Sequence, residues 1–311
     1  MDFFKISDEA KEREYDEAYR RICRYTDPRG VELRKALEAE CEEFRRLGLG
    51  NTAFLRDLQN PGAFSKKIWE VRLGVWLSRC GHELTRGNSF PDFVVKDRRL
   101  GCWVEATVAS RDVPGNKPYL GPERKPIPLE SAFSGAKIPT YRPDFERVAI
   151  RIETRMSEKI DSIRNHRSKI RTENIPIIIA LEISDISDEF HSGYVGPIFF
   201  GFGDFSARTT SDGVVNIISE AKSVRITDPG ELEKDIGYFR REPLLSGVLL
   251  SRTERFEPID NWNERVTLLI NPWAEFGVPD WLVPKVRRVN KIAEWTAGGA
   301  IFDTPPGELR I

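Results

Sequence analysis

The chain has little that would hold a soft metal or build a covalent nucleophile. Its four cysteines, Cys23, Cys41, Cys80 and Cys102, are scattered, with no CxxC pair and no zinc spacing. They read as reduced packing cysteines, the pattern of a cytoplasmic protein rather than a disulfide-stapled secreted one. The three histidines, His82, His166 and His191, show no ligand spacing, and no Ser-His-Asp elbow accompanies them. Gly201-Phe202-Gly203-Asp204 lacks the length and the following helix of a phosphate loop. No apolar run approaches ~20 residues, so no membrane span is expected. The stretch Met1 to Arg21 is charged and carries no apolar run, so no signal peptide is expected either. Internal repeats and low-complexity tracts are absent from the sequence. So is an excess of one charge: 48 Lys and Arg against 49 Asp and Glu leave a net −1. That balance excludes a wholly basic nucleic-acid coat and leaves room only for a local basic face.

What is there begins with two charge-rich helical stretches, 7–24 and 30–47, broken at Asp27-Pro28-Arg29-Gly30 and closed by Gly48-Leu49-Gly50-Asn51. They form an N-terminal helical extension over residues 1–60, read as scaffold. Apolar positions from Ile68 to Leu77 then predict a helix over 65–80 that stops at Gly81. Short strands are expected at 82–86, 92–96 and 102–108. Residues 112–143 are rich in Pro and Gly, and a loop of that length is either a substrate-facing lid or a disordered insertion. A long helix is predicted from Asp144 to Arg164, followed by the buried strand Pro176-Ile177-Ile178-Ile179-Ala180-Leu181. The order of helix, three strands, helix and strand implies a mixed α/β sheet with helices on its faces. Beyond residue 183 only Val248-Leu249-Leu250 and Val266 to Ile270 read as strands. The core is placed at 61–275, and 276–311 is expected to be a tail with a helix near 284–296.

Two acids stand where chemistry is expected. Pro91-Asp92 opens one strand, and Glu105 lies in the next, Cys102-Trp103-Val104-Glu105-Ala106-Thr107-Val108. Strand side chains alternate, so Glu105 and Thr107 share a face, and Asp92 can meet Glu105 across the pair. Buried acids are costly unless paired or bound to a cation, and oxygen-only ligands suit Mg²⁺ or Mn²⁺. Glu70, in Lys67-Ile68-Trp69-Glu70-Val71, lies either on the polar edge of its helix or facing that site. On the long helix Arg147, Arg151, Arg155 and Lys159 recur at every fourth position, beside an apolar stripe of Val148, Ile152, Met156 and Ile160. That basic stripe faces either phosphates and the acid pair, or solvent with Glu153 and Glu158 as local partners. Basic runs also occur at Arg164, His166, Arg167, Lys169 and Arg171, and at Lys285, Arg287, Arg288 and Lys291.

Taken together, Glu70, Pro91-Asp92 and Val104-Glu105-Ala106-Thr107 in this element order resemble the PD-(D/E)xK nuclease superfamily, over about 120 residues of the chain. The resemblance implies a restriction-endonuclease-like fold, an α-β-β-β-α-β core whose mixed central sheet is flanked by helices. It implies a metal-dependent endonuclease hydrolysing DNA, in restriction or anti-phage defence. Asp92 and Glu105, assisted by Glu70, would bind Mg²⁺ or Mn²⁺. Duplex cutters of this kind commonly work as homodimers. The sequence departs from the pattern at one place, since Thr107 stands where the family carries lysine. Lys159 is the expected substitute, with Arg151, Arg155, Arg164 and Arg167 as nucleic-acid contacts. The alternative is a catalytically degenerate nuclease fold that binds nucleic acid or protein.

Overall fold

A computed structural model describes residues 3–6, 15–50, 54, 57–87, 90–97, 100–109, 145–186, 195–200, 205–209, 215–219, 223–226, 232–235, 237–252, 259–289, 295–296 and 299–300. The Pro- and Gly-rich 112–143 therefore lies outside the described residues. Helix α1 spans Glu17–Cys23 and is opened by Asp16, whose carboxylate accepts from the N–H of Ala18 and Tyr19. Helix α2, Pro28–Arg46, starts the same way: Asp27 accepts from Gly30 N–H, and Pro28 sits in the first turn, where its missing donor costs nothing. Helix α3, Phe64–Arg79, ends at Gly81 (φ +92°) in a Schellman closure. Gly81 N–H returns to Ser78 O at 2.9 Å and His82 N–H to Leu77 O at 3.3 Å.

The principal sheet has seven strands in the order β1-β2-β3-β4-β9-β10-β11. Strands β1 (Glu83–Thr85), β2 (Phe93–Asp97) and β3 (Leu100–Val108) form an antiparallel meander. Helix α4, Phe145–Asn165, and the short α5, Arg167–Glu173, carry the chain across to β4, Ile177–Glu182, which pairs parallel to β3. Strand β9, Gly247–Ser251, adds parallel to β4, and β10, Val266–Ile270, adds antiparallel to β9. All six residues of β4 are buried, as a strand covered on both faces requires. Two separate hairpins, β5 (Phe205–Thr209) with β6 (Val215–Ser219) and β7 (Ser223–Ile226) with β8 (Leu232–Asp235), fill a region where the sequence pattern gave no strands. Among the described residues no helix is long and apolar enough to cross a membrane.

Alternation along β3 sorts the core into two layers. Cys102, Val104, Ala106 and Val108 pack with α3 and with Tyr19, Ile22, Leu37, Cys41 and Phe44 of α1 and α2. The helices expected as an extension are thus part of one wall of the sheet. Trp103 faces the other layer, where Val148, Ile152, Met156, Ile160 and Ile163 bring α4 down at helical spacing. Gly74 lets α3 approach closely, because a Cβ there would meet Phe44 Cε2 at 2.7 Å and Phe93 Cε1 at 3.1 Å.

Among the described residues of 284–296, which are 284–289 and 295–296, the expected helix is not formed. Arg287–Val289 is instead β11, parallel to β10 with Leu268 opposite Arg288. The open edge of β10 offers backbone partners that Arg287-Arg288-Val289 can take, and that gain outweighs a weak helical pattern. The sheet therefore extends past residue 275.

Candidate active site

Because β2 and β3 run antiparallel with Phe93 opposite Val104, Asp92 arrives beside Glu105 at the mouth of the meander. The backbone N–H of Asp92 donates to Glu105 Oε1 at 2.9 Å, and Ala106 N–H donates to Asp92 Oδ2 at 2.9 Å. Each carboxylate is thus fixed by the main chain of the other's strand. Lys159, descending from α4, then donates to Asp92 Oδ2 at 3.2 Å and to Glu105 Oε2 in a shorter contact. The side chains of Asp92, Glu105 and Lys159 retain only 15%, 3% and 14% of their exposure.

Burial and the neighbouring Asp92 charge push the Glu105 carboxyl up to about 7, against the pull of Lys159. Burial acts on Asp92 in the same sense, yet the Lys159 charge and the Ala106 N–H hold it below the ordinary aspartate value. Lys159 is itself desolvated, but the two carboxylates keep its ammonium favoured and raise its pKa. The asymmetry is physical: Asp92 is held as the anion, and Glu105 is poised to accept or release a proton near neutrality.

Glu70 does not join this pair as a ligand. It is fully buried in α3, clasped by Lys67 Nζ at 3.1 Å and by Arg86 Nη2 at 2.8 Å. Burial, then the Asp92 charge, raise its pKa, so it feels the acid pair from a separate cluster. Arg86 is also anchored by Leu49 O at 2.9 Å and lies over the Phe54 ring at 4.4 Å. Among the described residues no group of three or more His, Cys, Asp or Glu side chains could hold a metal ion. Asp92 and Glu105 alone still fit a hard divalent cation in donor chemistry: Oε1 and Oε2 of Glu105 each accept one of these hydrogen bonds and keep a second lone pair, while Oδ2 of Asp92 accepts two and leaves Oδ1 as that residue's donor.

The basic stripe separates in three dimensions. Residues four apart drift by about 40° per step, so a stripe of several turns cannot present every member to one spot. Lys159 turns to the acids. Arg151 is buried at 5%, Arg155 pairs with Glu158 at 3.1 Å, and Arg164 pairs with Glu242 at 2.5 Å and Asp161 at 3.2 Å. Arg167 is exposed on α5. Glu153 meets Arg241 at 2.7 Å. The side chain of Arg147 lies outside the described residues. Thr107 is buried at 4%, on the same side of β3 as Glu105, two positions further on. In the second basic run, Arg288 is tied to Asp280 Oδ1 at 3.2 Å and to the carbonyl of Leu282 at 2.7 Å.

One grouping had no signal in the sequence. Phe90 stacks on His166 with ring centroids 4.5 Å apart and planes 6° apart, and Trp103 meets both rings edge-on. These residues are remote in the chain, and no periodicity links them.

No family model, no curated protein and no solved structure matches the chain.

Proposed function

We propose that this chain is a metal-dependent, endonuclease-like protein with a restriction-endonuclease-like core, hydrolysing DNA phosphodiester bonds. The observation that carries the reading is the ammonium of Lys159 on both Asp92 and Glu105. It supplies, from the helix after the motif strand, the cation that Thr107 fails to supply from the strand. The run α3-β1-β2-β3-α4-β4, with the short α5 before β4, also follows the element order that the resemblance implies. In this reading Asp92 and Glu105 would hold Mg²⁺ or Mn²⁺, which would supply an acidified water and neutralise phosphate charge. Lys159 positions the attacking water and faces the negative charge that builds on the phosphate.

A second reading, a nuclease fold that binds without cutting, is favoured by the absence of a three-acid group among the described residues and by acids already satisfied by lysine. Cleavage separates the two. The nuclease reading expects Mg²⁺- or Mn²⁺-dependent cutting of DNA, lost at least a hundredfold in Asp92→Asn, Glu105→Gln and Lys159→Ala while melting stays cooperative. No cutting of duplex or single strands with either metal, together with no metal binding by calorimetry, leaves the binding reading.

A further inference from the structure

We infer that Phe90, Trp103, His166 and Lys169 form a seat for a single-stranded nucleic-acid segment beside the acid–lysine triad, an inference that rests on the nuclease reading for its class of ligand. The three rings are tied to the triad by the chain itself. Phe90 lies two residues before Asp92, and Trp103 lies two residues before Glu105 on the same face of β3. His166 follows Lys159 by seven residues, two helical turns or ~10 Å along α4. The axial rise of ~3.4 Å per nucleotide in a stacked strand covers that span in about three nucleotides, and an extended single strand covers it in fewer. A strand with its scissile phosphate at the triad therefore reaches His166 within a few nucleotides.

The chemistry of the seat suits such a strand. The imidazole lies flat on the Phe90 ring, Trp103 braces the two edge-on at 5.2 and 6.3 Å, and Lys169 Nζ stands 5.3 Å from the Trp103 centroid. Trp103 is buried, but Phe90 and His166 keep part of their surface in solvent, and Arg167 and Lys169 are exposed. Aromatic faces set among surface cations are what sequence-tolerant single-strand binding uses: rings stack on bases and cations follow the backbone. Bases inside a duplex are stacked on one another and do not offer a face to such a ring. Nor is the imidazole needed to close α5, because His166 occupies its N-cap without a side-chain cap bond.

The test is fluorescence anisotropy with a short labelled single-stranded deoxyoligonucleotide in EDTA, so that binding is read without metal or cutting. His166→Ala should weaken binding on the order of tenfold, and His166→Phe, which keeps a stacking ring, should retain it. Lys169→Glu should weaken binding and flatten its salt dependence by about one phosphate contact. Both positions are surface-accessible, and thermal melting verifies that each variant is folded. Failure of the wild type to bind the oligonucleotide overturns the seat. So does wild-type affinity in both His166→Ala and Lys169→Glu, or tight duplex binding that His166→Ala leaves unchanged. Cutting by the wild type with no effect of these variants removes the seat and keeps the nuclease. Oligonucleotide binding that the variants lose, in a protein that never cuts, keeps the seat and removes the nuclease.

Discussion

Asp92 and Glu105 hold one another through the main chain: Asp92 N–H donates to Glu105 Oε1, and the N–H beside Glu105, that of Ala106, returns to Asp92 Oδ2, both at 2.9 Å. The reciprocity fixes two like charges side by side before any cation arrives. Lys159 then provides the cation within the fold, which makes the triad a sensitive point for stability as well as for chemistry.

Removing that cation should be costly. Lys159→Met leaves two buried carboxylates without their partner, and urea denaturation at pH 8 should show a loss of about 3–5 kcal/mol. At pH 5 the loss should shrink, because Glu105 takes up a proton below about 7. Equal losses at both pH values would mean that the carboxylates do not share the lysine charge.

The pH dependence of stability carries its own sign. Glu105 titrates near 4.5 when unfolded and near 7 when folded, so between those values the native state binds more protons. Its contribution to stability therefore falls as pH rises from about 4.5 to about 7, then levels off. Glu70 is also raised by burial and adds in the same direction. Asp92, held low, contributes stability that disappears only as the pH falls below the ordinary aspartate range. Glu105→Gln should flatten the profile between pH 5 and 8, measured as melting temperature against pH; an unchanged slope would place the raised carboxyl elsewhere.

Across the sheet, Trp69 Nε1–H donates to Ala180 O at 3.0 Å, joining α3 to the central strand β4. Trp69→Phe keeps most of the ring but leaves a buried carbonyl short of its donor. A loss of ~1–3 kcal/mol in denaturant unfolding is expected. A neutral substitution would show that water replaces the indole.

Gly74→Ala tests the closeness of α3 to its neighbours. The new methyl would press on Phe44 and Phe93, and overpacking of a filled core costs ~1–3 kcal/mol. That cost exceeds the gain in helix propensity of ~1 kcal/mol, so net destabilisation is expected in chemical denaturation. A stabilised variant would mean that both rings move aside freely.

Much of this arrangement was legible in the chain. The apolar run Pro176 to Leu181, the amphipathic period from Val148 to Ile160 and the stop at Gly81 each state a local preference that tertiary packing only confirmed. Asp92 and Glu105 were readable as a pair because strand alternation is fixed by backbone geometry. Lys159 was singled out by resemblance from a stripe of basic residues whose equal spacing does not distinguish them. Only the rotation of α4 against the sheet decided that it, and not Arg151 or Arg155, meets the acids. Glu70 shows the same limit, since sequence placed it on the right helix and packing gave it to Lys67 and Arg86. Strand β11 was misread because an edge strand is specified by its partner's unpaired backbone, which leaves little trace in its own residues. Sequence by itself determined the elements from α3 to β4 and which face of each is apolar, because those are short-range properties of the chain. Which charges meet, and whether Phe90 finds His166, was decided by contacts between residues far apart in sequence, and only the tertiary structure sets those distances.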